Sequence, residues 1–173
     1  TFSLALPLLA DMLENPRPGL KAIWVTPIRA LSQDLEKAIR EAAEAMGGGL
    51  DIALRTGDTS SKEKARQRKK APDFLITTPE SLHIMLCLKG YPALFSNLKT
   101  VVVDEWHELL GSKRGVQTEL ALSRLRGLNP NLQTWGISAT IGNLEQGMEV
   151  LLGDDSGVLV KAEHKKKIQL KSL

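Results

Sequence analysis

Two adjacent carboxylates, Asp104 and Glu105, directly follow three valines at 101–103, and His107 lies two residues further along. A carboxylate at the tip of a buried strand is costly unless a cation or a hydrogen-bond donor pairs with it. A magnesium ion that bridges nucleotide phosphates is one such partner, and Glu105 would then orient or deprotonate an attacking water. The alternative is a strand that ends at the surface in a polar stop, which is the simpler interpretation for so short a motif alone.

The tripeptide "SAT" at 138–140 ends another apolar segment and supplies two hydroxyl groups, those of Ser138 and Thr140. One interpretation is that they bond to the acids or to His107 and couple the acidic motif to a neighbouring surface. The other is an ordinary turn with a helix cap. The tripeptide alone does not decide between these interpretations.

Two segments, "TPIRA" at 26–30 and "TTPES" at 77–81, share one form: a strand, then Thr-Pro, then the start of a helix. Backbone amides at a helix start favour an anion, and a threonine hydroxyl or Arg29 can add a contact. Two such sites on one edge would hold successive phosphates of a nucleic-acid backbone without reading its sequence. Alternatively, Thr-Pro merely initiates each helix. In "RTGD", Gly57 and Asp58 predict a tight turn, and glycine permits close backbone approach.

The elements that must position these residues alternate between strands and helices. Strands are predicted at 21–26, 51–56, 73–78, 100–105 and 133–140, with shorter ones near 157–160 and 168–170. Helices are predicted at 28–46, 62–70, 79–88, 115–128 and 143–152. The first of them would bury a stripe formed by Leu31, Leu35, Ala38, Ile39, Ala42 and Met46. This alternation predicts an α/β fold, a mostly parallel sheet flanked by helices, whose ligands bind outside the carboxyl ends of the strands.

Composition excludes several classes of protein. The chain has 173 residues and one cysteine, Cys87, so a disulfide framework is impossible and a zinc cluster is unsupported. No apolar run approaches the length of a membrane span, and we expect a cytoplasmic protein. The net charge is only +3, but "KEKARQRKK" at 62–70 and "HKKK" at 164–167 concentrate positive charge. These clusters are either phosphate-facing patches or a solvated helix face and tail.

The ordered motifs TPIRAL, RTGD, TTPESL, VVVDEWHEL and SAT resemble the first motor domain of superfamily-two helicases of the DEAD/DEAH-box kind. The nearest resemblance is to the Lhr-like helicases and the DNA-ligase-associated DEXH-box helicases, and five motifs in register make it specific. It implies a RecA-like P-loop NTPase domain across residues 1–173 and an ATP-driven motor that moves on or separates nucleic-acid strands. It also implies ATP and Mg²⁺ as cofactors, and single-stranded DNA or a tailed duplex as partner. DNA ligase or other repair proteins are further partners that it implies.

The resemblance assigns a role to each matching residue. Asp104, together with Glu105, is implied to hold the magnesium ion, and Glu105 also to activate water. His107 is implied to link the ATP site to motion, and Ser138 and Thr140 are implied to couple hydrolysis to unwinding. The residues implied to contact one strand or to shape its path are Thr26, Pro27, Arg29, Gly57, Asp58, Thr78, Pro79 and Glu80.

The sequence departs from the family pattern in the glycine-rich loop that ends in Gly-Lys-Thr, since no G-x-x-x-x-G-K-[ST] occurs in it. Because "TFSLALPLL" resembles the helix after that loop, we interpret Thr1 as the loop's own cofactor-binding threonine and Pro7 as a local misfit. We therefore expect a fragment of an ATP-dependent helicase, inactive alone, without the P-loop strand and the second motor domain. The alternatives are a motor-like module that binds nucleic acid without ATPase activity, and an α/β domain whose basic helix binds a protein.

Overall fold

The computed structural model describes residues 1–139, 143–153 and 157–160. Within these residues one sheet is formed by the strands β1 (Ala22–Val25), β2 (Ile52–Arg55), β3 (Phe74–Thr77), β4 (Thr100–Val103) and β5 (Gln133–Gly136). The strand order is β2-β3-β1-β4-β5, and each of these pairings is parallel. The predicted parallel α/β sheet is therefore confirmed, and each strand lies within the segment predicted for it.

Helices flank this sheet. Those in the described ranges are α1 (Phe2–Glu14), α2 (Arg29–Ala45), α3 (Ser61–Lys69), α4 (Pro79–Leu86), α5 (Tyr91–Phe95), α6 (Trp106–Leu109), α7 (Lys113–Leu128) and α8 (Leu144–Leu152). The sequence did not predict α5 and α6, because helices of five and four residues are too short to show a periodicity. None of the described helices is both long and apolar enough to cross a membrane.

The carboxyl-terminal part of the sequence gave a less accurate prediction. The strand expected near 157–160 is wrong, because these residues have no regular secondary structure and three of the four are exposed. Without a neighbouring strand, a short apolar run has no partner for its backbone hydrogen bonds. The strand predicted at 168–170 and the basic run at 164–167 lie outside the described residues.

The sheet separates two apolar layers. On one face Val101 and Val103 of β4 pack with residues of α4 and α7, including Leu82 and Leu122. On the other face the members are Trp24, Phe74 and Val102 of the sheet with Leu9 of α1 and Ile39 of α2. All four residues of β1 are buried, as expected for an apolar run in the middle of a parallel sheet. The core thus holds the central strands rigidly from both sides.

Helix α2 buries the middle of the predicted stripe, where Ile39 is fully buried and Leu35 and Ala42 pack against the core, but not the two ends of the stripe. Leu31 and Met46 of the proposed stripe are 52% and 38% exposed, and the buried residues of α2 are Ser32, Ile39 and Ala43. Ser32 tolerates burial because its hydroxyl donates to the carbonyl of Arg29 at 2.6 Å. Apolar spacing alone could not reveal a core position that is occupied by a satisfied polar residue.

Substitution of Gly115, in the first turn of α7, is expected to destabilise the fold. A Cβ there would lie 2.1 Å from the carbonyl oxygen of Leu109, whereas a Cβ at Gly127 in the same helix would meet nothing within 4 Å. We expect Gly115→Ala to lower the free energy of unfolding by about 1–3 kcal/mol. Gly127→Ala is the control and should raise it by roughly 0.5 kcal/mol. Urea titration of both variants measures the difference, and equal midpoints would contradict the predicted clash.

Candidate functional site at the carboxyl edge of the sheet

The parallel register places the predicted site residues along one edge. Val25 of β1 is level with Thr77 of β3 and Val103 of β4, and Val103 is level with Gly136 of β5. The residues that follow these strands therefore leave the sheet side by side, with neighbouring strands about 4.8 Å apart. The acidic motif, the Thr-Pro motifs and the serine of "SAT" thus share this edge.

The carboxylate of Asp104 is held by two hydrogen bonds. The indole nitrogen of Trp24 donates to Oδ2 at 3.1 Å, and the amide of Glu105 donates to Oδ1 at 3.0 Å. Trp24 is fully buried, so its indole cannot exchange this partner for water. A carboxylate offers about four acceptor positions, so two of them stay available for a cation. The sequence gave no sign that the tryptophan in "KAIWVT" contacts the acid.

Glu105 occupies an uncommon backbone conformation. Its φ of 49° and ψ of 45° are left-handed, and it is the one non-glycine residue of the described ranges with a positive φ. The turn ends β4 and begins α6, and it leaves the Glu105 side chain 39% exposed at the edge. Left-handed residues other than glycine cost roughly 1–2 kcal/mol and persist where the surroundings impose them.

Trp106 imposes this turn. Its amide donates to the carbonyl of Ile137 at 2.9 Å, and its buried indole donates to the carbonyl of Gly147 in α8 at 2.8 Å. The tryptophan of "DEWH" therefore anchors the turn in the core and lets the acids face outward. Trp24 and Trp106 are therefore both core residues, at 0% and 2% exposure.

His107 lies between the acids and the "SAT" motif. Its Nδ1 is 3.3 Å from the hydroxyl of Ser138, 3.2 Å from the amide of Ala139 and 3.3 Å from Oε2 of Glu105. The Ala139 amide can only donate, so it needs a lone pair on Nδ1, whereas an ion pair with Glu105 needs a proton there. The ring can therefore bind one side or the other, but its Nδ1 cannot satisfy both at once.

The structure does not test the roles predicted for two further site residues, Thr140 and Thr1. Thr140 lies outside the described residues, so the structure says nothing of its contacts. Thr1 is exposed and is the N-cap residue of α1, where its side chain makes no capping hydrogen bond. The role assigned to each of them stays a prediction.

The two Thr-Pro motifs use their hydroxyls internally. Thr26 accepts a hydrogen bond from the amide of Ile28 at 3.4 Å, and Thr78 caps α4 by accepting from the amide of Ser81 at 3.4 Å. Both threonines are buried, at 2% and 0% exposure. They shape the loops at this edge, and the predicted helix start at Pro79 is confirmed.

Arg29 lies over the turn of the "RTGD" motif. Its guanidinium is 3.8 Å from the carboxylate of Asp58, and a Cβ on Gly57 would lie 3.2 Å from Nη2 of the arginine. Both charged side chains are at least half exposed, so this ion pair is weak and the arginine can take another anionic partner.

Arg114 is a site residue that the sequence analysis missed. From α7 it donates to the carboxylate of Glu80 at 2.5 Å and to the carbonyl of Pro27 at 3.0 Å, so it joins the two Thr-Pro loops. Burial raises the pKa of Glu80, but the hydrogen bonds from Arg114 and from its own backbone amide outweigh burial and lower that pKa. Arg114 is 34 residues from Glu80 and 87 residues from Pro27, so no local sequence pattern could predict these contacts.

The parallel sheet gathers carboxylates, a histidine and a serine at its carboxyl edge, where ligands of open α/β sheets bind. Its fold is RecA-like, as in the solved DEAD-box helicase Mss116, which shares 21% identity and a TM-score of 0.72 with this chain. The sequence profile of the DEAD/DEAH box helicases matches residues 1–146. The chain therefore belongs to the DEAD/DEAH box helicase family, and the resemblance inferred from the five motifs is confirmed.

Similar proteins within this family include the Lhr helicases. The ATP-dependent helicase Lhr-Core of Methanothermobacter thermautotrophicus is 41% identical over 144 residues, which are 78% of this chain and 17% of that protein. A structure of Mycobacterium smegmatis helicase Lhr bound to ssDNA and AMP-PNP has 32% identity and a TM-score of 0.69, covering 84% of this chain and 21% of that chain. A structure of the DUF1998 helicase MrfA bound to DNA and AMPPNP has 28% identity and a TM-score of 0.75, and the match covers 87% of this chain and 22% of that chain. The chain thus spans about a fifth of the length of these relatives.

The contact between Arg114 and Glu80 should appear as a coupling energy in a double-mutant cycle. We expect a coupling energy of about 0.5–1 kcal/mol from the cycle of Glu80→Gln, Arg114→Met and the double variant, since both side chains are partly exposed. The coupling should be complete above the ordinary pKa of 4.5 and be lost as pH falls through the lower pKa of folded Glu80.

The matched control is the exposed pair Lys37 and Glu41 on α2, 3.9 Å apart, for which we expect a coupling close to zero. Urea unfolding of each variant between pH 3 and pH 7 provides the measurement. A coupling that is unchanged at the acidic end would show that it does not come from the Glu80 charge.

Proposed function

We propose that this chain is part of the first RecA-like domain of an ATP-dependent DNA helicase, in which ATP hydrolysis drives movement along a single strand. The observation that carries the proposal is the position of His107, whose one ring nitrogen lies 3.3 Å from both Glu105 and Ser138. It links the acidic motif to the next strand of the sheet. The solved Lhr structure that was bound to ssDNA and AMP-PNP supports both ligands.

The acidic motif fits a magnesium–nucleotide complex. Mg²⁺ is usually bound by one or two carboxylates together with substrate phosphates and waters, rather than by a cage of protein ligands. The described residues contain no cluster of three or more potential ligands, and the adjacent Asp104 and Glu105 meet the smaller requirement. Asp104 would hold the ion through the acceptor positions that Trp24 and the Glu105 amide leave open. When bound, the ion would neutralise charge on the nucleotide phosphates.

Glu105 has the geometry of a residue that orients or deprotonates water. Its backbone is left-handed and its side chain is 39% exposed, so the carboxylate can reach a water at this edge. A base in this position takes a proton from water as the water attacks the terminal phosphate. The Nδ1 of His107, which can accept a proton, lies 3.3 Å from Oε2 of Glu105.

Coupling to movement would follow from the alternative partners of His107. When its Nδ1 bears a proton, the ring bonds Glu105, and when it does not, the ring accepts the Ala139 amide. A change at the nucleotide that alters this proton would thus make or break the hydrogen bond from the Ala139 amide, while Ser138 still accepts from the backbone amide of His107. This supports the roles that the family resemblance implies for His107 and Ser138.

A nucleic-acid strand would bind at the ends of the other strands along the same edge of the sheet. Helix α2 begins without a side-chain cap, so its first amides are available to a phosphate, and Arg29 adds positive charge beside them. Thr26, Pro27, Thr78 and Pro79 would shape this path, and Glu80 would act through Arg114 because a carboxylate repels a phosphate. Contacts of this kind bind a backbone without reading its sequence.

Two other candidate functions are weaker. A motor-like module without ATPase activity has no use for the strained Glu105 or for the buried indole that fixes Asp104. A protein-binding α/β domain leaves the shared edge of the five motifs unexplained. The second motor domain and a DNA ligase or other repair protein as partner stay predictions from the family resemblance, and a cytoplasmic location stays a prediction from the composition.

Glu105→Gln tests the hydrolytic role. We expect ATP turnover stimulated by single-stranded DNA in the full-length protein to fall by about 10²–10⁴-fold, because the amide cannot accept a proton. DNA affinity should be retained. Glu41→Gln, on the exposed side of α2, is the matched control and should turn over ATP at the unaltered rate. Full activity in Glu105→Gln would overturn the assignment of Glu105 as the base.

Trp24→Phe tests the support of Asp104. This change removes the indole donor but keeps an aromatic ring in the core, so we expect the Mg²⁺ concentration for half-maximal ATPase activity to rise by about tenfold. Trp135→Phe, in β5 on the same face of the sheet, is the control and should leave the Mg²⁺ dependence unchanged. An equal shift in both variants would point to a general loss of packing.

A further inference from the structure

Helix α3 concentrates positive charge for which the proposed function has no role. Residues 61–70 contain six cationic side chains and a single carboxylate, that of Glu63. The helix is attached to the edge strand of the sheet, because the amide of its buried residue, Gln67, donates to the carbonyl of Leu54 in β2 at 3.2 Å. Its charges are therefore held at a fixed place beside the end of the sheet.

The cations in the last turn of α3 have a structural explanation. Arg66, Arg68 and Lys69 lie at the carboxyl end of the helix, where the macrodipole favours positive charge. Arg66 also binds Asp51 at 3.1 Å and Glu63 at 2.8 Å. Positive charge at this end of α3 therefore stabilises the helix itself.

Lys62 and Lys64, in the first turn of α3, have no such explanation. The macrodipole disfavours cations at the amino end of a helix. The acid of this turn, Glu63, does not offset them, because its carboxylate accepts from Arg66 at 2.8 Å and from Gln67 at 3.0 Å. Among the residues that the structure describes, neither lysine has a carboxylate partner. Two cations that weaken their own helix indicate an anion from outside the chain.

Lys64 is held beside the turn of the "RTGD" motif. Its ammonium donates to the carbonyl of Gly57 at 3.0 Å, and two of its three donors stay available for an anion. Arg29 approaches the same glycine from α2, since a Cβ on Gly57 would lie 3.2 Å from its Nη2. The carboxylate of Asp58 is 3.8 Å from Arg29 and 79% exposed, so it can turn away. Cations of two helices therefore converge on one turn.

The position of this turn selects the kind of anion. Helix α3 begins after the turn that follows β2, at the carboxyl edge of the sheet, and β3 and β1 separate β2 from β4. The end of β2 is thus about 14 Å from the strand that carries Asp104. The nucleotide proposed for the acidic motif would bind at β4, whereas a polyanion that runs along the edge past Arg29 would next meet α3.

We propose that Lys64 and Lys62 bind successive phosphates of the nucleic-acid single strand where it leaves the carboxyl edge beside β2. This inference deepens the proposed function and rests on it, since it extends the path of the strand beyond the five motifs onto α3. Lys64 would share a phosphate with Arg29, and Lys62 would bind the next one. Lysine binds a phosphate as a point charge, so these contacts would not read the base sequence.

Replacing both lysines tests this site. In Lys62→Gln/Lys64→Gln of the full-length protein, we expect affinity for an oligo-dT strand at low salt to fall about tenfold, because two phosphate contacts are lost. The slope of log affinity against log salt should decrease in magnitude by about 1.4, since each contact with a single strand contributes about 0.7. Without DNA, the urea midpoint should not fall, because both cations oppose the helix macrodipole.

The matched control removes two lysines from the other end of the same segment. Lys69→Gln/Lys70→Gln changes the net charge equally at the carboxyl end of α3, and we expect it to leave the salt slope unaltered. Lys62→Arg/Lys64→Arg keeps both charges and should bind with the wild-type slope. An equal decrease in slope for the two glutamine variants would reveal a diffuse effect of net charge and overturn the inference. A lower urea midpoint in Lys62→Gln/Lys64→Gln with an unaltered slope would make the lysines structural and overturn it as well.

The remaining outcomes separate this site from the proposed function. If the folded wild-type protein does not bind oligo-dT, the proposed function itself fails. If it binds and Lys62→Gln/Lys64→Gln binds with the same slope, only the site on α3 fails. A blunt DNA duplex should bind equally to the wild type and to this variant. A loss of duplex affinity with unaltered oligo-dT binding would assign α3 to a duplex and overturn the proposal.

Discussion

The position of β1 in the middle of the sheet is the constraint on which the site depends. Its neighbours are β3, which leads to the second Thr-Pro motif, and β4, which leads to the acids. Its own end leads to Thr26 and Pro27. Its Trp24 is level with Val102 of β4 and donates a hydrogen bond to Asp104, two residues after Val102. Because side chains alternate along a strand, a shift of β1 by one residue would turn Trp24 away from Asp104 and bring a polar residue into the core. One buried register therefore aligns the nucleotide side with the nucleic-acid side.

The sequence predicted those parts of the fold that depend on local signals. Strands β1, β3 and β4 are continuous apolar runs, and α4 begins at a Thr-Pro pair whose threonine caps it. The buried face of α2 was predicted only in its middle, because a buried serine, satisfied by its own helix, does not look like a core residue. The acidic turn was recognised from its motif, but the left-handed Glu105 and the anchoring role of Trp106 depend on β5 and α8.

The contacts that the sequence could not reveal join distant parts of the chain. Trp24 and Asp104 are 80 residues apart, and Arg114 is 87 residues from Pro27. A single arginine in a helix carries no sign of which carboxylate it will meet, since that depends on the assembled sheet. Side chains that support a site are thus harder to predict than the residues of its motifs.

At Glu105 the backbone conformation favours a different residue from the one that the proposed function needs. A glycine at this position would relax the left-handed turn, and asparagine would tolerate it better than glutamate. Selection for thermal stability alone would therefore drift away from the carboxylate, whereas selection for the hydrolytic role proposed for Glu105 would retain it. Such a position is a poor target for consensus-based stabilisation, because its most stable residue is not the one that the proposed function needs. The hydrogen bonds of Trp106 hold the turn in place, so that glutamate is retained at position 105 in spite of its left-handed backbone.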